Sequence, residues 1–160
     1  MGIWEASPGT SIRLLTAAKA NIPKFPVRIL VVDDFGPWRQ HICSTLKGRQ
    51  ELQIVGEASD GPEAVKIAEE LKPDLILLDI GLPTLNGIAA ARQIRKLAPE
   101  SKIIFVSQES SPDVVQEALN VGARGYVVKT TAGSDLVAAI EAVLEGRQFV
   151  SGGLIAGGPS

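Results

Sequence analysis

The chain has 160 residues, 45% hydrophobic and 21% charged, and its 16 basic and 18 acidic side chains leave a net charge of −2, which fits one ordinary globular domain with a real core. No field of one sign exists to hold nucleic acid by charge alone, and no apolar run approaches the ~20 residues of a membrane span. The single cysteine, Cys43, excludes an internal disulfide and a Cys/His zinc cluster, and fits a reducing, cytoplasmic setting.

Residues 1–26 read as an N-terminal extension punctuated by Pro8, Pro23 and Pro26, with a short helix over 11–20 consistent with the spacing of Ile12, Leu15 and Ala18. Arg13 and Lys19 interrupt any signal-peptide core, and Ala6 stands where a myristoylation signal wants Ser or Thr. A regular rhythm begins at residue 28. The apolar run RILVV (28–32) predicts a strand. PWRQHICSTLKG (37–48) predicts a helix with Trp38, Ile42 and Leu46 on one face, Pro37 near its start and Gly48 as its stop. A strand at 52–58, a helix at 61–72, a strand at 74–79 and a helix at 86–98 follow, the last with Ile88, Ala91, Ile94 and Leu97 on one side. A strand at 101–107, a helix at 111–122, a strand at 125–129 and a helix at 133–146, N-capped by Ser134 and stopped by Gly146, complete the pattern. The Gly-rich segment 147–160 reads as a flexible tail or a linker stub.

Five βα units imply an α/β domain over 27–146, a parallel sheet with helices on both faces. The unbroken apolar strands at 29–32, 75–78 and 103–106 agree, because parallel strands are buried on both sides. Right-handed crossovers leave the doubly wound orders, and five strands favour the flavodoxin-like (βα)5 order 2-1-3-4-5.

In such a sheet, ligands bind at the carboxyl ends of the strands. Strand one ends in Asp33 and Asp34, strand three in Asp79, strand four in Ser107 and strand five in Lys129. Each has an ordinary explanation. Asp33 or Asp34 would cap the first helix, Asp79 would belong to a turn before Pro83, Ser107 would cap the following helix, and Lys129 would be a solvated loop charge. Five such residues at four strand ends, with nothing comparable at the strand starts, point instead to a site. Clustered carboxylates suit Mg2+, an aspartate can serve as nucleophile and form an aspartyl phosphate, and an ammonium and a hydroxyl suit the phosphoryl oxygens. The lone histidine, His41, is expected at the edge of the first helix, toward solvent.

With VVDDF (31–35), LILLDIGLPTLNG (75–87), IIFVS (103–107) and GARGYVVK (122–129) in this order and spacing, the chain resembles the receiver domain of bacterial two-component response regulators, most closely the NarL/FixJ branch. The resemblance covers about 28–146 and implies a role for each position. Asp79 would be the phosphoacceptor. Asp33, Asp34, Asp79 and the backbone carbonyl of Gly81 would hold Mg2+. Ser107 and Lys129 would engage the phosphoryl oxygens, and Tyr126 would be the aromatic that moves when the Ser107 hydroxyl turns toward the phosphate. Pro83 and Gly87 would shape the loop after Asp79. It also implies a sensor histidine kinase or phosphotransfer protein as donor, and an output surface and homodimer face over about 112–146. DNA would be a partner only if a C-terminal helix-turn-helix domain exists in the full-length protein. Thr130 where proline is common, Gln108 where a small residue is common, Gly81 and Glu109 depart from the usual pattern. The last two leave the phosphate lifetime open. A phosphatase would want an acid at position 81, and a nucleotide-binding protein a glycine fingerprint where DDFGPW stands. The main alternative is a receiver-like interaction module that is never phosphorylated.

Overall fold

The computed structural model describes residues 25–152; the helix expected at 11–20 lies outside them. β1 (Val27–Val32), α1 (Gly36–Leu46), β2 (Leu52–Ala58), α2 (Gly61–Leu71), β3 (Leu75–Leu78), α3 (Gly87–Leu97), β4 (Lys102–Ser107), α4 (Pro112–Asn120), β5 (Gly125–Val128), α5 (Ala132–Leu144) and β6 (Phe149–Val150) follow in chain order, with a turn of 3-10 helix at Lys129–Thr131 before α5. The sheet is parallel throughout, in the order β2-β1-β3-β4-β5-β6. The flavodoxin-like order read from the sequence is thus present, with a sixth strand added.

The period-two geometry of a strand divides its side chains between two cores. Leu30, Val32, Ile76, Leu78, Ile103, Phe105 and Tyr126 face one side, covered by α2, α3 and α4 through residues such as Ala68, Ile94 and Val115. Ile29, Val31, Leu75, Leu77, Ile104, Val106 and Val127 face the other, covered by α1 and α5 through Ile42, Leu46, Leu136 and Ile140. Both faces being dry is why these strands carry no polar alternation.

Three local expectations change. Segment 147–160 is not all tail: Phe149–Val150 pairs with β5, and the buried Ser151 hydroxyl accepts the Val128 N–H at 2.9 Å. Ser134 does not cap α5. The 3-10 turn carries the chain straight into the helix from Thr131, so Ser134 lies inside the first turn, its hydroxyl donating back to the Thr131 carbonyl. Leu97 does not share the buried side of Ile88, Ala91 and Ile94, because α3 ends there and the side chain is left exposed.

Candidate functional site

The register of the sheet brings the strand ends together. Val32 pairs with Leu78, so Asp33 and Asp79, each one residue beyond, emerge side by side. Their backbone N–H groups donate to the Ala58 and Val32 carbonyls, which carries the ladder into the site and fixes both main chains. Ser107 pairs with Val128, so Lys129 emerges at the same rim, one residue beyond it.

Asp33, Asp34 and Asp79 each offer a carboxylate oxygen, and these oxygens all lie within 4.8 Å of one another. Asp33 and Asp79 are buried and Asp34 is exposed. Lys129 answers this charge: its Nζ lies 2.6 Å from Asp33 Oδ2 and 3.7 Å from Asp79 Oδ2. Only 13% of the Lys129 side chain reaches solvent, so it is not a solvated loop charge. Burial pushes the Asp79 carboxyl above the usual range and the neighbouring Asp33 charge pushes it further, against the opposing pull of Lys129 and the backbone N–H groups of Gly81 and Ile80. Three hard oxygen donors at one rim fit Mg2+ by donor type.

Neither aspartate at the end of β1 caps α1, whose N-cap is Phe35 with no side-chain cap bond. Asp33 Oδ1 instead accepts the Phe35 N–H at 2.9 Å, leaving Oδ2 for Lys129. Ser107 does not cap α4 either; Ser111 does. The Ser107 Oγ accepts the Glu109 N–H at 3.1 Å, while the Tyr126 hydroxyl donates to the Glu109 carbonyl at 2.7 Å. One residue of the β4–α4 loop is therefore gripped at its two backbone groups by the hydroxyl and the aromatic that the resemblance pairs. Tyr126 is fully buried against Phe105, and burial, partly offset by a hydrogen bond with Ser107, pushes its phenol up to about 12. Gly81 is exposed in the loop after Asp79. Beside it opens a cavity of about 430 Å3 lined by Asn86, Ile88, Arg92, Glu109 and Glu117.

The close fit of that loop rests on Gly87. Its N–H donates to the Ile80 carbonyl at 2.7 Å, and a Cβ there would stand 2.0 Å from the Asp79 carbonyl oxygen. The Asn86 side chain caps α3 by accepting the Ala89 N–H, so the helix starts hard against the acidic rim.

Two contributors escaped the sequence reading. The Arg39 guanidinium donates to the Asp33 carbonyl at 2.6 Å and is held by Glu57 of β2 at 3.0 Å. Trp38, expected only as a core residue of α1, lies with its ring 5.2 Å from the Lys129 ammonium. A basic residue six positions after Asp33 is a faint signal, and nothing in the spacing of Trp38 distinguishes it from packing. His41 is exposed, as its position suggests, with its ring 5.1 Å from that of Trp38.

The family model for the response regulator receiver domain matches residues 29–141. The response regulator protein VraR of Staphylococcus saprophyticus is 36% identical over 115 residues, 72% of this chain and 55% of that protein. The transcriptional regulatory protein LiaR of Bacillus subtilis is 34% identical over 121 residues, 76% of this chain and 57% of that protein. The crystal structure of a LuxR-family two-component response regulator from Aurantimonas sp. superposes with a TM-score of 0.75 at 34% identity, covering 78% of this chain and 89% of that one. The chain spans little more than half the length of these curated relatives.

Proposed function

Because the chain belongs to the response regulator receiver domain family of two-component systems, we propose that Asp79 is its phosphoacceptor. The observation that carries this reading is the convergence of Lys129 on Asp33 and Asp79 at 2.6 and 3.7 Å, at the rim where the sheet order reverses. The donor would be a phosphohistidine of a sensor kinase or phosphotransfer protein in the cytoplasm. An Asp79 carboxylate oxygen attacks the phosphorus, and the P–N bond to the imidazole breaks as the P–O bond forms. Asp33, Asp34 and Asp79, with the Gly81 carbonyl, would hold Mg2+, whose chemistry there is to neutralise charge on the transferring phosphoryl group. Lys129 supplies a second positive charge to its oxygens. The domain promotes its own phosphorylation and hydrolysis and needs no further active site.

The switch follows from the grip on Glu109. When the Ser107 hydroxyl turns toward the phosphoryl group, it releases the Glu109 N–H. The β4–α4 loop is then free to shift, and the Tyr126 bond to the Glu109 carbonyl goes with it. The phosphate thereby bonds better in one of two states and shifts their populations. The face of about 112–146 changes, and it would serve dimerisation or the output. In a longer protein, a DNA-binding domain following the receiver would read that change. The relatives are regulators of this type, which weighs against a module that is never phosphorylated.

Intact mass after incubation with acetyl phosphate and Mg2+ tests the reading. The parent is expected to gain one phosphoryl group and Asp79→Asn none. No gain in a folded parent, from acetyl phosphate or from a histidine kinase, would refute it.

A further inference from the structure

Lys129 has a third partner. Its ammonium, nearly enclosed, sits 5.2 Å from the centroid of the Trp38 ring, inside cation–π range. Trp38 comes from the first turn of α1 and is seated on the core beneath that helix, with the His41 ring against it one turn on. Its indole Nε1 is buried and has no hydrogen-bond partner among the described residues. A tryptophan whose indole N–H is buried normally finds an acceptor for it. Here the edge is left unused and the ring stands beside a charge.

We infer that Trp38 is a positioning residue for Lys129, its ring holding the Lys129 side chain at the Asp33 side of the pocket, where it can meet a phosphoryl group on Asp79. This rests on the reading of Asp79 as the acceptor. A carboxylate in place of the indole would pair with Lys129 and compete with the phosphoryl oxygens. A saturated side chain would give the ammonium no attraction where little water reaches it. The aromatic quadrupole attracts the cation without cancelling its charge. The ammonium leans 2.6 Å from Asp33 against 3.7 Å from Asp79, so its hold on Asp79 is the looser one. Were Asp33 to hold Mg2+, the ring would be a partner for Lys129 that does not compete for the metal.

An isosteric series separates this role from packing. In a Trp4→Phe background, Trp38 is the only tryptophan and is replaced biosynthetically by mono- to tetrafluorinated tryptophans, which weaken the potential of the ring face while barely changing its shape. The initial rate of phosphorylation by acetyl phosphate is expected to fall step by step, by about threefold to tenfold in all. Trp38→Phe should lie between the parent and Trp38→Leu. In the metal-free protein, NMR should find the Lys129 CεH2 protons shifted by the ring current, and the shift should vanish in Trp38→Leu. A phosphorylated parent with a flat rate across the fluorinated series overturns the role of Trp38 alone, however slow or unstable the leucine variant. A parent that takes no phosphoryl group overturns the reading of Asp79, and with it this one.

Discussion

Gly87→Ala sets the geometry of the loop after Asp79 against an opposing preference, since alanine is the better helix former, although Gly87 is the first residue of α3 and the full interior preference of about 1 kcal/mol is an upper bound there. The new methyl would stand 2.0 Å from the Asp79 carbonyl oxygen, 2.7 Å from Ile80 Cα and 2.9 Å from the Asp79 carbonyl carbon. All three are backbone atoms, so no side chain can rotate away. Restoring an ordinary separation of about 3.5 Å asks for a displacement of about 1.5 Å between α3 and the strand end that carries Asp79. Overpacking of this kind costs about 3 kcal/mol, a large share of a domain's stability of about 5–15 kcal/mol. In urea, with a slope of about 1–3 kcal/mol per molar, the midpoint should fall by at least about 1 M. Any relaxation that moves Asp79 by about 1 Å should slow phosphorylation by about 100-fold. Gly81→Ala is the control, because a Cβ there meets nothing within 4 Å, and its stability should change by less than about 0.5 kcal/mol. A Gly87→Ala variant as stable as the parent and phosphorylated at the same rate would refute the reasoning.

Three further outcomes are expected. Asp79→Asn should raise the melting temperature at neutral pH. The native carboxyl titrates above its unfolded value, so its ionisation penalises the folded state at neutral pH and the penalty disappears below about pH 4; melts from pH 7 downward should show the gap between the two proteins closing. Tyr126 should ionise near 12, visible as late phenolate absorbance. Because that value lies above the unfolded one of about 10, this residue's contribution to stability is complete below pH 10 and is lost as pH rises toward 12. A phenol that titrates near 10 while the protein is still folded would contradict the buried position. Ser151→Ala should leave the Val128 N–H without its acceptor and cost about 1–3 kcal/mol by urea unfolding, whereas an unchanged midpoint would mean that β6 does not hold β5.

The strands and their order were legible because burial on both faces writes itself as unbroken apolar runs, and because five βα units leave few handed arrangements. The candidate site was legible through contrast: Asp33, Asp79 and Lys129 stand out as polar residues ending apolar strands. Trp38 was not, since its partner Lys129 lies across the fold, and Arg39 left only a faint signal. Trp38 serves helix α1 equally well as a core residue, and Arg39 acts on a backbone carbonyl that no side-chain pattern marks. The grip of Ser107 and Tyr126 on Glu109 was hidden for the same reason, being made to main-chain atoms. β6 was missed because two residues between glycines carry too little periodicity to separate a strand from a tail. Ser134 misled because a good capping residue is only a cap where the helix begins, and here the 3-10 turn begins it three residues earlier.

The short strand Phe149–Val150 also decides what kind of surface the sheet offers to its surroundings. Without it, β5 would end the sheet with a row of open backbone donors and acceptors, the template on which strands of other molecules can stack. Phe149 and Ser151 donate their N–H groups to the Arg124 and Tyr126 carbonyls, and the Ser151 hydroxyl takes the Val128 N–H, so those positions are spoken for. A version of the chain trimmed at the end of α5 would keep its helices, its acids and its lysine and still be a poorer protein to work with, prone to self-association along a freshly bared seam.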